Sequence, residues 1–416
     1  MITTKLKILL RNGSFITLFK NFSFLSIIQI LGILYPLITY PYLIRVLGGE
    51  LYGMVVFAQA IMAYVVIVVN FGFNVSAVRR VSENRNNKSK LSEIYTSVTV
   101  LKLVILLVSM IVLGMISFFF ETKINIIMIL LFGLAIEEVF FPVWLFQGLE
   151  EMKYITFITF IAKTVYVILV VTTISSPEHY LRLPLLISVS CIITSLCALK
   201  IIKEKEIWFV RINKNQLKND FVESVPFFTS RLASVVMERT NVLIIGLFFD
   251  YTMVSIYDLC IKVVSIIRTP FGLVSQVIYP HVARNMNMRI VKKAYYSVIA
   301  VGSVLSIIVM LSASLIVHLL SGDNLLGADN YLRIMIWYVP IVGASYILGA
   351  STLVVNGFSK EYNYSVIYSL VVYIILISLF YLLNIINLST ITVAMLVPEL
   401  FTLLYRRYVT NKNKIF

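Results

Sequence analysis

Charge is what this sequence has least of. Asp, Glu, Lys and Arg together make up 13% of its 416 residues, about half the share of a soluble domain. No stretch is long and polar enough to fold as a separate water-soluble domain. Cysteine and histidine are scarcer still, with three of each. Cys191, Cys197 and Cys260 fall inside apolar stretches with no CxxC pair, so they read as small buried side chains and not as disulfides or ligands. His179, His281 and His318 are scattered, which gives no metal site. No GxxxxGK[ST] motif is present, which excludes an ATP-driven motor in this chain. A water-soluble enzyme is excluded, and no cofactor or metal is expected.

What is abundant is apolar. Hydrophobic residues make up 60% of the chain, and the mean hydropathy is +0.94. With about 20 residues per span, this composition predicts an all-α polytopic membrane protein. Apolar windows bounded by charge give 12 transmembrane helices at about 23–45, 52–75, 94–119, 124–147, 154–175, 181–202, 222–248, 253–279, 294–320, 330–355, 362–384 and 388–408. The longest polar interruption divides these into an N-terminal lobe (residues 1–202), a linker on the cytoplasmic side (203–221) and a C-terminal lobe (222–416). Two short likenesses recur at about half the length. Tyr52 matches Tyr257, and Phe146-Gln147-Gly148 matches Val355-Asn356-Gly357. Six spans return the chain to its starting side, so the two six-helix lobes would form a parallel repeat, as in a two-lobed carrier. The basic N-terminus lacks an A-x-A cleavage site, so the first apolar run is read as a permanent span.

The net charge of +15 would point to nucleic acid in a soluble protein; here it is first a matter of topology, and no nucleic acid is expected. With both termini placed in the cytoplasm, the segments up to residue 20 and around 79–90, 153, 200–218, 284–293, 360 and 406–414 carry 25 Lys and Arg. The opposite side carries four, namely Arg45, Lys123, Arg182 and Arg333. This asymmetry follows the positive-inside bias.

Six basic residues remain inside the windows: Lys102, Lys163, Arg231, Arg239, Lys262 and Arg268. The acids Glu137, Glu138, Glu238 and Asp258 lie there as well. A charge at mid-membrane costs about 2.5–3.5 kcal/mol on insertion scales, so it faces a partner or a water-filled cavity. At about 1.5 Å per residue, Glu238 and Arg239 lie roughly 25 Å from the inner end of their window, and Arg268 lies about halfway through the next. Lys102 and Lys163 lie roughly 12–14 Å in, where long stems still reach the surface. Asp258 and Lys262, four apart, either neutralise each other or serve function. Spans seven and eight hold four bases and two acids, so two positive charges are in surplus. A cationic cavity implies an anionic substrate, and the planar fork of Arg suits phosphate. The substrate-contact candidates are Arg231, Arg239 and Arg268, with Lys262, Lys102 and Lys163. The four acids are candidates for ion coupling. Pro36 and Pro41 are hinge candidates, because proline removes a backbone donor.

The segment Tyr40-Pro-Tyr-Leu-Ile-Arg-Val-Leu-Gly-Gly-Glu-Leu-Tyr-Gly53, with Phe57-Ala58-Gln59, Asn70-Phe71-Gly72-Phe73 and Arg79-Arg80, resembles the opening of polysaccharide transporters, the Wzx-type O-antigen flippases. Pro226-Phe-Phe-Thr-Ser-Arg-Leu-Ala-Ser234, Ile256-Tyr257 with Lys262, Tyr279-Pro280 and Asn356-Gly357 extend the likeness over about residues 20–405. Asp258 departs from the small apolar residue common after that tyrosine. The resemblance implies a member of the multidrug/oligosaccharidyl-lipid/polysaccharide exporter superfamily, with two lobes in a V around a central cavity. It implies a transporter and not an enzyme, one that moves undecaprenyl-pyrophosphate-linked oligosaccharide from the inner to the outer leaflet of the bacterial inner membrane. A coupling cation (H+ or Na+) and the pathway's polymerase and chain-length proteins are the partners it implies. The rivals are a drug/cation antiporter of that superfamily, for which a net-acidic cavity is expected; a polysaccharide polymerase or ligase, which needs a large outside loop; and a channel or scaffold.

Overall fold

The computed structural model describes residues 13–415, apart from the side chains of residues 13–22, Leu25, Ser230, His281, Arg284 and Asn285. The expectations for Lys5, Lys7, Arg11, Lys20, His281 and Arg284 fall outside that description. Among the described residues every regular element is a helix. This is what a membrane requires of a chain without a closed barrel, because each backbone group must be satisfied within its own segment.

The first element, α1 (Gly13–Asn70), runs for 58 residues. It is two helices that meet at a kink, each long enough to cross a hydrocarbon core of about 30 Å. Its one break in helical geometry is at Gly48 (φ 79°, ψ 168°), a region that is essentially glycine-only. The helix continues through Pro36 and Pro41. Then follow α2 (Phe73–Glu83), α3 (Lys88–Ser117), α4 (Thr122–Leu130), α5 (Gly133–Phe140), α6 (Val143–Gly148), α7 (Met152–Thr173) and α8 (Arg182–Glu204). The second half holds α9 (Lys214–Phe248), α10 (Tyr251–Asn285), α11 (Met288–Leu311), α12 (Ala313–Ser321), α13 (Ala328–Met335), α14 (Tyr338–Leu348), a π-helical turn (Gly349–Val354), α15 (Ser359–Leu382) and α16 (Leu388–Lys412).

Ten of the described segments are long and apolar enough to cross a membrane. The difference from twelve arises at two places. The first two windows lie on either side of the kink at Gly48 and are counted as one segment, and the seventh lies in α9, which carries Glu223, Arg231, Glu238 and Arg239. That helix starts at Lys214, inside the stretch expected to be linker.

The chain clusters into two compact units. One holds the described residues up to Thr39 together with Ile61–Leu232, and the other holds Tyr40–Ala60 with the described residues from Ala233 onward. The middle of α1 therefore packs with the second unit. The reason is local: a Cβ on Gly53 would sit 1.8 Å from the Tyr251 carbonyl oxygen, so only glycine permits this approach to the start of α10.

In the first unit Trp144, Phe146, Tyr95, Phe73 and Val98 form the centre of a core built from α2, α3, α6, α7 and α8. In the second, Gly343 of α14 lies so close to α11 that a Cβ would fall 2.7 Å from Val298. Ser306 also donates to the Ile336 carbonyl at 3.1 Å. Small residues at helix contacts and hydroxyls as interhelical donors are the usual substitutes for the hydrophobic effect in lipid.

Candidate functional site

Five helices of the second unit each turn one stripe onto a common cavity of about 320 Å³. On α10 the stripe is Tyr257, Ile261, Val264, Ser265 and Arg268; on α16 it is Met395, Glu399, Thr402 and Arg406. Helix α14 gives Tyr338, Val342, Ser345 and Tyr346, and α15 gives Tyr362, Val366, Ser369 and Tyr373. Helix α9 contributes Ser234, Met237, Glu238 and Arg239. The i, i+4, i+7, i+11 spacing follows from 3.6 residues per turn. It places the polar members of otherwise apolar helices on the inside of the unit, as burial in lipid demands.

The charges in the cavity are three arginines and two glutamates, a surplus of one positive charge. The arginines differ in how their donors are used. Arg406 is 6% exposed. Its Nε donates to Ser365 Oγ at 3.0 Å, and its Nη1 donates to the Ser345 carbonyl at 2.9 Å and to Ser345 Oγ at 3.0 Å. Its guanidinium lies 4.7 Å from the centre of the Tyr362 ring. A Cβ on Gly349 would come within 2.8 Å of both Arg406 and Tyr362, so the first residue of the π-helical turn must be glycine for Arg406 to lie there. Arg406 is a strut joining α14, α15 and α16.

Arg268 is held more loosely. Its Nη1 is 3.5 Å from the Tyr338 hydroxyl, and its guanidinium lies 5.6 Å from that ring's centre. Tyr338 in turn donates to Glu399 Oε1 at 3.4 Å. Arg239 and Glu238 are exposed. The neutral end of the cavity is tied more tightly. Tyr373 donates to Asn241 Oδ1 at 2.7 Å, and Asn241 Nδ2 donates to the Tyr257 hydroxyl at 2.9 Å.

Of the sequence candidates, the fold thus brings Arg239, Arg268 and Glu238 together. Lys262 lies elsewhere in the same unit, ion-paired with Asp258. It donates to the Tyr52 hydroxyl at 2.9 Å, and Tyr52 donates to Asp258 Oδ2 at 3.1 Å. The Lys262 ammonium also sits 4.8 Å from the centre of the Tyr40 ring. Arg231 is exposed, away from the cavity lining.

Lys102 lies in the first unit and is 1% exposed. Pro142 has no N–H to give the carbonyl four residues before it, that of Glu138. Lys102 Nζ donates to that carbonyl at 2.9 Å and to Glu138 Oε1 at 2.7 Å, and Asn70 Nδ2 reaches the same carboxylate oxygen at 2.8 Å. One ammonium therefore satisfies both a half-buried carboxylate and the break between α5 and α6. Glu137 faces Cys191, Thr194 and Lys163.

Two cavity residues escape a reading by hydropathy. Arg406 counts there among the cytoplasmic charges, yet it is buried, and Glu399 was not among the intramembrane acids. Their seven-residue spacing inside one apolar window was the available signal. It places both on one face of α16.

Residues 18–286 match the profile of the family described as polysaccharide biosynthesis protein. A relative in Escherichia coli (strain K12) that is assigned as an O-antigen transporter is 24% identical over 364 residues, covering 85% of this chain and 87% of its own. One in Shigella dysenteriae with the same assignment is 25% identical over 274 residues, covering 64% and 67%. Among solved structures, an inward-facing multidrug resistance MATE family transporter of the MOP superfamily matches with a TM-score of 0.73 at 13% identity, over 93% of this chain and 95% of its own. The lipid II flippase MurJ, inward closed, matches at 0.70 and 15% identity, over 95% and 87%. At such identities the likeness is one of fold, and the fold is that of a multi-pass membrane protein.

Proposed function

Because this chain belongs to the polysaccharide biosynthesis protein family, and because its second unit encloses a charged cavity, we propose that it is a flippase for lipid-linked oligosaccharide. The substrate is a repeat unit of O-antigen type carried on undecaprenyl pyrophosphate. It moves from the inner to the outer leaflet of the cytoplasmic membrane by alternating access, with both termini cytoplasmic. The assignments of the two bacterial relatives as O-antigen transporters support this reading.

The observation that carries the reading is the contrast between Arg268 and Arg406. Arg406 spends its donors on protein partners, whereas Arg268 faces the same cavity with one long contact to a tyrosine hydroxyl. A guanidinium can hold two phosphate oxygens at once, and Arg239 supplies a second positive charge on the exposed side. The pyrophosphate would enter the polar cavity while the polyprenyl tail stays in lipid. Coupling to H+ or Na+ falls to the intramembrane acids. Glu138 and Asp258 have lysine ion-pair partners and Glu137 faces Cys191, Thr194 and Lys163, which leaves Glu238 as the most available of the original four. A drug/cation antiporter would be served by a net-negative cavity, and this one is net positive. Polymerase and chain-length proteins of the same pathway are the expected partners.

The test is complementation of a flippase-null strain by Ala and Lys substitutions at Arg231, Arg239 and Arg268, with protein levels matched by immunoblot. Arg268→Ala should abolish most surface glycan. A charge-assisted hydrogen bond is worth about 1.5–3 kcal/mol, or about 10- to 100-fold in affinity. Full restoration of surface glycan by the triple Ala variant would overturn the assignment.

A further inference from the structure

We infer that Glu399 is the resident counter-ion of the substrate-binding Arg268, and that binding of the anion is accompanied by uptake of one proton at the Glu399 carboxyl. The inference rests on the anionic-substrate reading above and adds to it a named proton-linked residue.

The geometry is a short relay across the cavity. Arg268 of α10 reaches the Tyr338 hydroxyl of α14 at 3.5 Å, and that hydroxyl donates to Glu399 Oε1 of α16 at 3.4 Å. Glu399 is faced by Arg406 on its own helix, Arg268 on α10, Tyr338 and Tyr346 on α14 and Glu238 on α9. Arg406 is already tied to serines on α14 and α15. Arg406 therefore stays beside Glu399 as a fixed charge with or without ligand, and the change on binding falls on Arg268. A phosphate anion that takes the Arg268 fork removes the charge that stabilises the carboxylate and puts a like charge beside it. Both changes favour the protonated acid. The proton comes from water in the cavity, and Tyr338 can rotate its hydroxyl to accept from the new acid.

The signs follow from linkage. If binding takes up a proton at Glu399, affinity relative to Glu399→Gln falls as pH rises, by up to about tenfold per unit. Glu399→Gln is permanently neutral, so between pH 6 and pH 8 its affinity should change only through the ionisation of the ligand. At pH 8 it should bind more tightly than the parent protein.

The experiment is calorimetry on the full chain in nanodiscs, with inorganic pyrophosphate as the probe. Titrations between pH 6 and 8 in buffers of different ionisation enthalpy count the protons. The ligand's own ionisation is common to all variants and cancels. The parent protein should take up about one proton more than Glu399→Gln, and Glu399→Asp should recover the pH slope. Tighter binding by Glu399→Gln at pH 8 is not what a folding defect produces. Pyrophosphate binding with the same proton uptake in Glu399→Gln overturns this inference alone. Binding by neither protein at any pH overturns the pyrophosphate reading and this inference with it.

Discussion

At the scale of single residues, the fold separates charges that look alike in the sequence. Arg268 and Arg406 both line the cavity, yet one is held by a single long contact and the other by three hydrogen bonds. Lys102 and Lys262 each sit against a carboxylate, and of these two only Lys102 is fully buried. Removing one member of a buried pair leaves the other charge uncompensated, at about 3–5 kcal/mol. Lys102→Met should therefore lower the thermal midpoint in detergent sharply, and Lys102→Met with Glu138→Gln should recover part of the loss. Equal midpoints for the single and double variants would show that the pair is not coupled. The Asp258–Lys262 pair was legible from its four-residue spacing. The Glu138 pairing was not, because Asn70, Lys102 and Glu138 come from three helices and meet only where Pro142 leaves a carbonyl to satisfy.

At the scale of elements, helix formation was readable from apolar windows, and the places where windows and helices differ have physical causes. The first two windows meet at Gly48, whose non-helical backbone separates two helices by a kink and leaves no loop between them. Pro36 and Pro41 drew attention as hinge candidates because proline is the visible helix breaker, yet the non-helical backbone lies at the glycine. A matched pair of substitutions separates conformation from packing. A Cβ at Gly32 or at Gly48 would meet nothing within 4 Å, so neither change adds a clash. Gly32→Ala should be neutral or stabilising by up to about 1 kcal/mol. Gly48→Ala should cost about 1–3 kcal/mol of backbone strain. Thermal unfolding of the two variants in one detergent checks the difference in sign. The stripes that form the cavity were only half legible. Periodicity puts Glu399 and Arg406 on one face of α16, but which face meets α10 and α14 depends on close contacts such as Gly343 against Val298 and Gly349 against Arg406.

At the scale of the whole molecule, most of the net charge of +15 is read as orientation. That reading predicts the side of each loop. In a background with Cys191, Cys197 and Cys260 replaced by alanine, a membrane-impermeant maleimide should label Ser175→Cys but not Asn213→Cys in intact spheroplasts. Labelling of Asn213→Cys alone would invert the topology. What charge counting could not supply is which of the remaining bases act on a ligand, since depth along a helix says nothing about partners. The central claim is that this chain carries a pyrophosphate-linked oligosaccharide lipid and that Arg268 receives its anionic head. The most direct measurement reconstitutes the protein in liposomes with such a lipid and follows its arrival in the outer leaflet by the accessibility of its glycan to an external glycosidase. The account predicts translocation by the parent protein, a rate at least about tenfold lower for Arg268→Ala, and partial recovery for Arg268→Lys. Arg268→Ala translocating at the parent rate would contradict it.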